Sequence, residues 1–243
     1  MISKPIRRRL YSLPFLARYR SHRAAKLAVS VHFREGFDLF TLPNVLRDEW
    51  ELEERAVYAR QLPLCDAFID IGAHHGFYTV LAARHGKRVL SLEPDAGNYG
   101  ILKRNTQSLN DVEIKNVALG DRRRHLTLHG DGDLASLRQE WTPDSGFRQR
   151  VQVEVLDRLV ASLDGRLLIK IDVEGAEVAV LQGAAETLKR TAVWIIETMA
   201  DMPSGVRDEH SKKVFRIMAD YGYTASQIGS TYNWVFERSE ISK

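Results

Sequence analysis

The chain has 243 residues, 44% of them apolar and 28% charged, with a formal net charge of +3. This length and apolar content are enough to bury the core of one α/β domain with an appendage. The single cysteine, Cys65, excludes an internal disulfide and indicates a reducing compartment, and we expect it to be a small core residue. Because no apolar run approaches the length that crosses a bilayer, we expect a soluble, cytoplasmic protein.

Basic side chains are concentrated at the start of the chain. Nine Lys and Arg residues and no acid precede Glu35, so the net charge of +3 leaves −6 for the remainder. We expect a solvated arm that packs partly on the main domain. Peripheral contact of this arm with an anionic membrane surface and a role as an organelle presequence are the open alternatives.

The segment at residues 43–62 predicts an amphipathic helix that lies against the main domain. Asn44 is placed as its cap, and Trp50 and Val57 recur at helical spacing among charged residues. The chain is therefore expected to have two parts. These are a basic arm with an amphipathic helix, residues 1–62, and a main domain, residues 63–243.

In the main domain, short apolar runs alternate with helical stretches, which is typical of a parallel sheet with helices on both faces. The predicted strands are residues 67–71, 88–92, 112–119, 167–171, 193–197, 224–228 and 234–237. The predicted helices are residues 77–85, 97–108, 156–163, 176–189 and 209–221. Two alternating segments, residues 124–130 and 148–156, predict a hairpin inserted between the third and fourth main strands.

The first predicted strand delivers Asp70 to its carboxyl end and runs into a small-residue turn. Gly72 allows a sharp turn, Ala73 lets a ligand come close, and Gly76 permits tight packing where the next helix begins. Glu93 ends the following strand, where a carboxylate can accept both hydroxyls of a ribose. Together these features predict a nucleoside site, and a tight turn beside a solvated glutamate is the alternative.

The turn differs from one that binds a dinucleotide. Ala73 replaces the second glycine and the turn carries no Arg or Lys, which disfavours a diphosphate ligand. S-adenosylmethionine instead has an amino-acid head and a sulfonium, and Asp70 can receive that positive head directly or through water. The pattern therefore favours methyl transfer over an NAD-dependent reaction.

Four sequence blocks, in this order, resemble the FkbM-like family of S-adenosylmethionine-dependent methyltransferases. The blocks are DIGAHHGFYTVLAA at 70–83, LSLEPD at 90–95, NVALGD at 116–121 and LLIKIDVEGAEVAVLQGA at 167–184. The resemblance runs from about residue 62 to the C-terminus. It implies a Rossmann-like class I methyltransferase fold with a seven-stranded sheet, six strands parallel and the last antiparallel, plus the N-terminal helical extension. It also implies a hydroxyl, often on a sugar or polyketide, as methyl acceptor.

The resemblance also assigns the cofactor-binding residues. They are Asp70, Gly72, Ala73, His74, Gly76, Tyr78, Glu93, Pro94, Asn116, Val117 and Asp172. Asn116 and Val117 close the third strand, where the adenine of the cofactor is expected. His74 stands where the family usually has Asn and can keep its hydrogen-bonding role towards the amino-acid end of the cofactor. Metal binding by His74 and the adjacent His75 is the rival reading.

The candidate catalytic residues lie in the block KIDVEGAE. Methyl transfer to an alcohol requires the acceptor proton to be removed, and Asp172 ends the fourth main strand with Lys170 on the same side. We hypothesise that Asp172 is the main acid, base or orienting residue and that Glu174 assists it. Glu177 either joins them or lies in the first turn of the next helix, stabilised by the helix dipole and solvent. Glu197, at the end of the fifth strand, is expected to shape the acceptor pocket.

Three polar residues of the inserted segment are further candidates for a functional role. Ser136 resembles a family serine on the substrate side, although an exposed loop serine is the default reading. His125 and His129 share one face, and a metal bridging them with Asp131 or Asp133 is less expected than a polar strand face. We therefore predict no metal site.

These features together predict an S-adenosylmethionine-dependent O-methyltransferase. The expected acceptor is a hydroxyl of a sugar, a glycan or a glycosylated small molecule, which follows from the resemblance alone. An NAD-dependent oxidoreductase and a non-catalytic nucleoside-binding scaffold at a membrane surface are the alternatives. Nucleic acid is ranked below glycans because the chain after the basic arm is acidic on balance.

Overall fold

The computed structural model describes residues 23–42, 48–130, 135–139, 147–190, 192–198 and 204–238, apart from the side chains of residues 204–208. The first 22 residues and Asn44 lie outside this set, so the membrane contact of the arm and the helix cap stay predictions. Within the described ranges, no helix combines the length and the apolar character needed to cross a membrane.

The described residues form twelve strands and a set of helices, named here in chain order. The strands are β1 (Val29–Phe33), β2 (Phe37–Thr41), β3 (Ala67–Ile71), β4 (Arg88–Leu92), β5 (Val112–Lys115), β6 (Ala118–Leu119), β7 (Arg124–His129), β8 (Arg148–Glu154), β9 (Leu167–Ile171), β10 (Ala192–Glu197), β11 (Thr224–Gln227) and β12 (Asn233–Glu237). The α-helices are α1 (Leu52–Gln61), α2 (Phe77–Arg84), α3 (Ala96–Thr106), α4 (Leu156–Leu159), α5 (Glu177–Gln182) and α6 (Ser204–Asp220). Short 3₁₀ turns occupy Leu62–Leu64 and Thr187–Lys189, and residues 23–27 are helical.

The central sheet has seven strands in the order β5-β4-β3-β9-β10-β12-β11. All pair in parallel except β12, which is antiparallel to both of its neighbours, β10 and β11. This confirms the predicted sheet with six parallel strands and one antiparallel strand. The central strands β3 and β9 are buried along their whole length, as expected where helices cover both faces of a parallel sheet.

Side chains that alternate along the central strands build a core on each face of the sheet. On β3, Ile69 and Ile71 join one apolar cluster, in which Trp194 of β10 is fully buried. Phe68 joins the cluster on the opposite face, where it packs against Tyr58 of α1 with ring centroids 5.9 Å apart. Cys65 belongs to the same cluster and is 5% exposed, so it is the core residue that the sequence predicts.

The inserted segment forms a separate three-stranded sheet in the order β6-β8-β7. The predicted hairpin is confirmed, because β7 and β8 pair antiparallel. The predicted single strand at residues 112–119 is wrong: β5 belongs to the central sheet, whereas β6 pairs in parallel with β8. Asn116 lies at the break, where its side-chain amide donates to the carbonyls of Glu93 and Pro94 at 2.8 and 2.9 Å and turns the chain towards the insertion.

Two predicted helices are shorter than expected. The helix predicted at 156–163 ends at Leu159, and the one predicted at 176–189 ends at Gln182 before a 3₁₀ turn. At Gly183 an added Cβ would lie 2.1 Å from the carbonyl oxygen of Gly120. The chain leaves the helix there because it passes directly against the end of β6.

The N-terminal part contains a hairpin that the sequence analysis did not predict. Strands β1 and β2 pair antiparallel around Gly36, so residues 29–41 form a hairpin and not a solvated arm. The hairpin docks on α3 through Asn105, whose side chain accepts from the N–H of Phe40 at 2.7 Å and donates to its carbonyl at 2.8 Å. Phe33 packs edge-on against Phe77 of α2, so the hairpin shares the core on that face of the sheet.

Candidate active site

A cavity opens where the carboxyl ends of β3, β4, β9 and β10 meet, the edge at which open α/β sheets bind ligands. Ten of the predicted site residues line it. They are Gly72, Ala73, His74, Tyr78, Glu93, Pro94, Val117, Lys170, Asp172 and Glu174. The predicted residues Asp70, Gly76 and Asn116 do not line it, and Leu128 of the insertion closes one side.

The floor of the cavity depends on Gly72, which has a φ of +80°. A Cβ at this position would lie 1.6 Å from the carbonyl oxygen of Asp172, so only glycine fits. The backbone N–H groups of Gly72 and Ala73 both donate to the carbonyl of Leu92, at 2.9 and 3.1 Å. The turn thereby holds the ends of β3, β4 and β9 together.

Gly76 supports packing and does not face the cavity. It has a φ of +88°, and an added Cβ would lie 2.5 Å from a methyl carbon of Leu102 on α3. The predicted tight packing at the start of α2 is therefore present, and the close neighbour is a helix, not the preceding strand.

The two adjacent histidines have different surroundings. His74 has a φ of +52°, lines the cavity, and donates its backbone N–H to the Glu93 carboxylate at 2.8 Å. His75 is fully buried, and its Nδ1 lies 2.9 Å from Thr41 Oγ1. Burial lowers the pKa of His75 to about 2, so the ring is neutral. The two rings stack with centroids 3.8 Å apart, an arrangement that does not direct both rings at one metal ion.

Asp70 is 1% exposed and lies behind the cavity. Its carboxylate accepts from Thr79 Oγ1 at 2.6 Å and lies 3.9 Å from Lys170 Nζ, while burial raises its pKa. Asp70 does not line the cavity, so it does not contact the positive head of a ligand directly. Asp70 instead binds Thr79 of α2 and lies beside the Lys170 ammonium, and so helps to position both.

Glu93 is 5% exposed and lies at the mouth of the turn. One carboxylate oxygen accepts from the N–H of His74 and the other from the N–H of Asp95, both at 2.8 Å. In the ionised form each carboxylate oxygen has two acceptor positions, so each keeps one for a ligand hydroxyl. Burial and the nearby Asp95 raise the pKa of Glu93 to about 8. Asn116 fixes this loop through the carbonyls of Glu93 and Pro94.

Lys170 and Asp172 form the predicted pair, with Nζ and Oδ2 3.0 Å apart. Lys170 Nζ also donates to the carbonyl of Gly72 at 3.2 Å. Burial acts to lower the pKa of Lys170, but the charges of Asp172, Asp70 and Glu51 outweigh it and raise the pKa above its ordinary value. Lys170 is therefore a permanent cation that links the loops after β3 and β9, and it is not a proton acceptor.

Asp172, Glu174 and Glu197 form a carboxylate cluster whose oxygens lie within 4.8 Å of one another. The charge of Asp172, followed by burial, raises the pKa of Glu197 well above its ordinary value. Burial acts to raise the pKa of Asp172 as well, but Lys170 and the hydrogen bond from Glu197 lower it. Glu197 therefore holds a proton and donates it in a hydrogen bond to ionised Asp172. Of the residues described, this cluster is the group close enough to share a metal ion.

The sequence analysis missed two residues that close the cavity, Trp50 and Glu51. Both were placed on the predicted helix, but α1 begins only at Leu52 and Glu51 has a φ of +47°. Tyr78 donates its hydroxyl to Glu51 at 2.6 Å, and burial raises the pKa of Glu51 to about 8. No local pattern marks these positions, because only the folded chain brings them to the strand ends.

Two residues expected to be solvated are buried. Ser136 is 1% exposed and donates its hydroxyl to the carbonyl of Glu174 at 2.6 Å, so the exposed-loop reading is wrong. Glu177 is 1% exposed and accepts from His210 Nε2 at 2.6 Å and from the N–H of Gly175 at 2.9 Å. Glu177 therefore lies in the first turn of α5, as one of the two readings placed it, but it is not solvated, and its bond to His210 connects α5 to α6.

The histidines of the insertion agree with a polar strand face. His125 is exposed and His129 is half-buried, while Leu128 between them is 1% exposed on the other face of β7. The further ligands considered for a metal, Asp131 and Asp133, lie outside the described residues.

The cavity is strongly acidic. Its lining contains five carboxylates and, from the described part of the chain, one Lys and no Arg. The five are Glu51, Glu93, Asp172, Glu174 and Glu197. Glu51, Glu93 and Glu197 have raised pKa values, which means that their ionised forms are costly in the empty cavity. A bound cation would stabilise those ionised forms. The site is thus suited to a ligand with a positively charged group and unsuited to a polyphosphate.

The chain matches a family model described as methyltransferase FkbM domain over residues 70–225, which is more than half of its length. The chain belongs to this family, which confirms the resemblance of its motifs and the S-adenosylmethionine-dependent methyltransferase class. No curated relative matches the chain.

Several solved structures have a similar fold. Cofactor-bound Rv0187 from MTB is 15% identical over 91% of this chain and 88% of that chain, with a TM-score of 0.48. A putative O-methyltransferase from Klebsiella pneumoniae is 14% identical over 94% and 91%, with a TM-score of 0.47. The O-methyltransferase from Bacillus cereus, solved in complex with SAH, is 15% identical over 75% and 76%, with a TM-score of 0.44. At these identities the similarity concerns the fold alone.

Proposed function

We propose that the protein transfers a methyl group from S-adenosylmethionine to a hydroxyl of a sugar, a glycan or a glycosylated small molecule. The observation that carries this proposal is the acidic cavity at the strand ends, entered over the Gly72 turn and containing the Lys170–Asp172 pair. Membership of the methyltransferase family supports the reaction class. The hydroxyl acceptor and its sugar character rest on the resemblance described above.

The residues present fit this methyl donor better than a dinucleotide. The acceptor positions of the ionised Glu93 carboxylate suit a ribose, and the turn at Gly72, which lines the cavity, lets the ends of β3 and β9 come close beneath it. The surrounding carboxylates suit a sulfonium and an ammonium group. A diphosphate would lack a free cation, because the described lining contains only Lys170 and that ammonium is held by Asp172.

S-adenosylmethionine, when bound, supplies a methyl group activated by a positively charged sulfur. Asp172 then accepts a hydrogen bond from the acceptor hydroxyl and orients its oxygen. Lys170 and Glu197 keep Asp172 ionised, which makes it a weak base but a strong stabiliser of positive charge on that oxygen. A weak base suffices, because the proton of an alkylated oxygen is far more acidic than that of a carboxylic acid.

Equilibrium dialysis with labelled S-adenosylmethionine and labelled NAD tests the proposed cofactor. We expect the methyl donor to be retained and to be displaced by S-adenosylhomocysteine, while NAD passes freely. Preferential retention of NAD would favour the oxidoreductase alternative and overturn the proposal.

Transfer of the labelled methyl group tests the enzymatic part of the proposal. The protein is incubated with labelled S-adenosylmethionine and a glycan-containing cell extract, with D172N as the matched control. We expect label in the glycan fraction with the wild-type enzyme and about 100-fold less with the variant. Donor binding without transfer to any fraction would support the scaffold alternative.

A further inference from the structure

A second cavity adjoins the active-site cavity, between the three-stranded sheet and helices α5 and α6. Leu119, Leu137 and Ala176 line both cavities, so the two spaces adjoin at these side chains. We call the second one the basic cavity, because Arg124, Arg138 and Lys213 line it. It is a distinct space beside the carboxylate cluster.

The two cavities are lined by different ionisable groups. Five carboxylates line the active-site cavity, whereas none of the described residues that line the basic cavity is Asp or Glu. His210, which also lines the basic cavity, is bound to the buried Glu177 behind it. An anionic group is therefore attracted to the second space, whereas the described lining of the first offers it only the cation Lys170, which is already paired with Asp172.

Arg124 is directed to the basic cavity by its place on β7. Side chains alternate along a strand, so Arg124 shares a face with Leu126 and Leu128, the face that packs towards the cavities. One guanidinium nitrogen, Nη2, lies 2.9 Å from Asp121 Oδ1. Its Nε is buried without a hydrogen-bond partner, whereas the side chain as a whole is 33% exposed, so an anion in the cavity meets the outer nitrogens of the planar group.

The two cavities meet at the turn after β9. Glu174 lines the active-site cavity and the next residue, Gly175, lines the basic cavity. Consecutive Cα atoms lie about 3.8 Å apart. The hydrogen bond from Ser136 Oγ to the carbonyl of Glu174, at 2.6 Å, holds this turn against the insertion. A hydroxyl at Asp172 and an anion in the basic cavity can therefore belong to one small molecule or to neighbouring units of one chain.

We propose that the basic cavity binds an anionic group of the methyl acceptor, a carboxylate or a phosphate, so that the substrate is an acidic saccharide. This rests on the proposed function and gives its acceptor a chemical class. Arg124 binds the anion through its guanidinium, and Lys213 adds a second positive charge at the rim. The cations of the basic cavity orient the acceptor, with its anion among them and its hydroxyl at Asp172.

Anion binding is tested first, because it needs neither the methyl donor nor the true substrate. Full-length protein is titrated against inorganic phosphate, followed by line broadening in ³¹P NMR, and against D-glucuronate and D-glucose, followed by saturation transfer. The variants are R124Q/K213Q and, as a matched control, R150Q. Arg150 is an exposed arginine of β8 that lies opposite Thr127, on the outer face of the same small sheet.

We expect the wild-type protein and R150Q to bind phosphate, glucuronate or both, and R124Q/K213Q to bind neither. The arm that responds identifies the anion as a phosphate or a carboxylate. D-glucose should show no difference among the three proteins. Equal anion binding by all three, or none by the wild type, would overturn the proposal.

Methyl transfer to matched acceptors provides the second test. Glucose, glucuronate and glucose 6-phosphate differ only at one carbon, and the same series is available for galactose and mannose. We expect kcat/KM to be higher for an acidic member than for its neutral partner and to fall by about tenfold or more in R124Q/K213Q. Equal rates for neutral and acidic members would contradict the proposal. If the wild type does not bind S-adenosylmethionine, the proposed function is overturned. The NMR titration would still decide whether the basic cavity binds an anion.

Discussion

The two halves of the active-site cavity are built in different ways. The half at β3 and β4 consists mainly of backbone groups and of residues close in sequence, from Gly72 to Glu93. The half at β9 and β10 consists of side chains brought from distant parts of the chain, including Glu51, Asp172 and Glu197. We expect the first half to hold the methyl donor and the second to act on the acceptor.

This difference determines how each half responds to substitution. A backbone turn has one conformation, so a small change of shape removes binding entirely. A carboxylate cluster shares its protons and its charge, so a single substitution changes chemistry more than shape. The following predictions test this contrast, beginning with the largest expected effect.

G72A should abolish donor binding. The new methyl group would lie 1.6 Å from the carbonyl of Asp172, so we expect at least about 100-fold weaker binding of S-adenosylhomocysteine and a loss of about 3 kcal/mol in the free energy of unfolding. Titration calorimetry and chemical denaturation measure the two effects. Gly36 is the matched control, because it has nearly the same φ, +79°, and no atom within 4 Å of its Cβ position. G36A should cost only about 1–2 kcal/mol and leave binding unchanged; similar behaviour of the two variants would refute the role of the contact.

D172N should affect turnover much more than donor binding. We expect kcat to fall by about 100-fold, because the acceptor oxygen loses its orienting and charge-stabilising carboxylate. S-adenosylhomocysteine, whose sulfur is neutral, should bind with nearly unchanged affinity. E174Q is the matched control in the same cluster and should have the smaller effect. Full turnover by D172N would remove Asp172 from the mechanism.

E93Q should weaken binding of the ribose. We expect about tenfold weaker binding of S-adenosylhomocysteine, because an amide nitrogen replaces one of the two acceptor oxygens. The 2′-deoxy analogue of the same ligand provides the control, since it lacks one of the hydroxyls concerned. The wild type should prefer the normal ligand and E93Q should discriminate less. Unchanged discrimination would show that Glu93 does not contact the ribose.

Donor binding should strengthen modestly as the pH rises. The pKa values of Glu51 and Glu93 are both about 8, so these groups are mostly protonated at pH 6.5 and mostly ionised at pH 9. A cation binds the ionised forms more tightly, and we expect an increase in affinity for S-adenosylmethionine of about threefold over this range. S-adenosylhomocysteine shares the α-amino group but lacks the positive sulfur, so the difference between the two ligands isolates the sulfonium. Calorimetry measures the affinity of both ligands across this pH range. If the two affinities change in parallel, the carboxylates do not stabilise the sulfonium, which would contradict the acidic character of the site.

Much of the backbone half was predictable from the sequence. Strands β3, β4 and β9 have the predicted bounds, because short apolar runs bounded by Gly72 and by acidic residues leave little ambiguity. The hairpin of β1 and β2 was missed although Gly36 and the alternation around it are a hairpin signal. The basic charge of that region was instead interpreted as a sign of a solvated arm.

The side-chain half was less predictable, for a physical reason. Glu51 reaches the site because α1 packs on the sheet, and no periodicity in the segment before it carries that information. Ser136 was expected in an exposed loop, and a solvated first helix turn was one of two readings of Glu177, yet each is buried with a hydrogen-bond partner from another element. Such partners are decided by tertiary packing, which a local pattern does not contain.

The binding of the donor at the backbone half is tested most directly by a crystal structure with S-adenosylhomocysteine in excess. We expect the ribose hydroxyls within hydrogen-bond distance of the Glu93 carboxylate and the homocysteine over the Gly72 turn, with its sulfur facing the cavity that contains Asp172. An empty or side-chain-filled cleft between Gly72 and Glu93, or the ligand bound elsewhere, would contradict the proposed site.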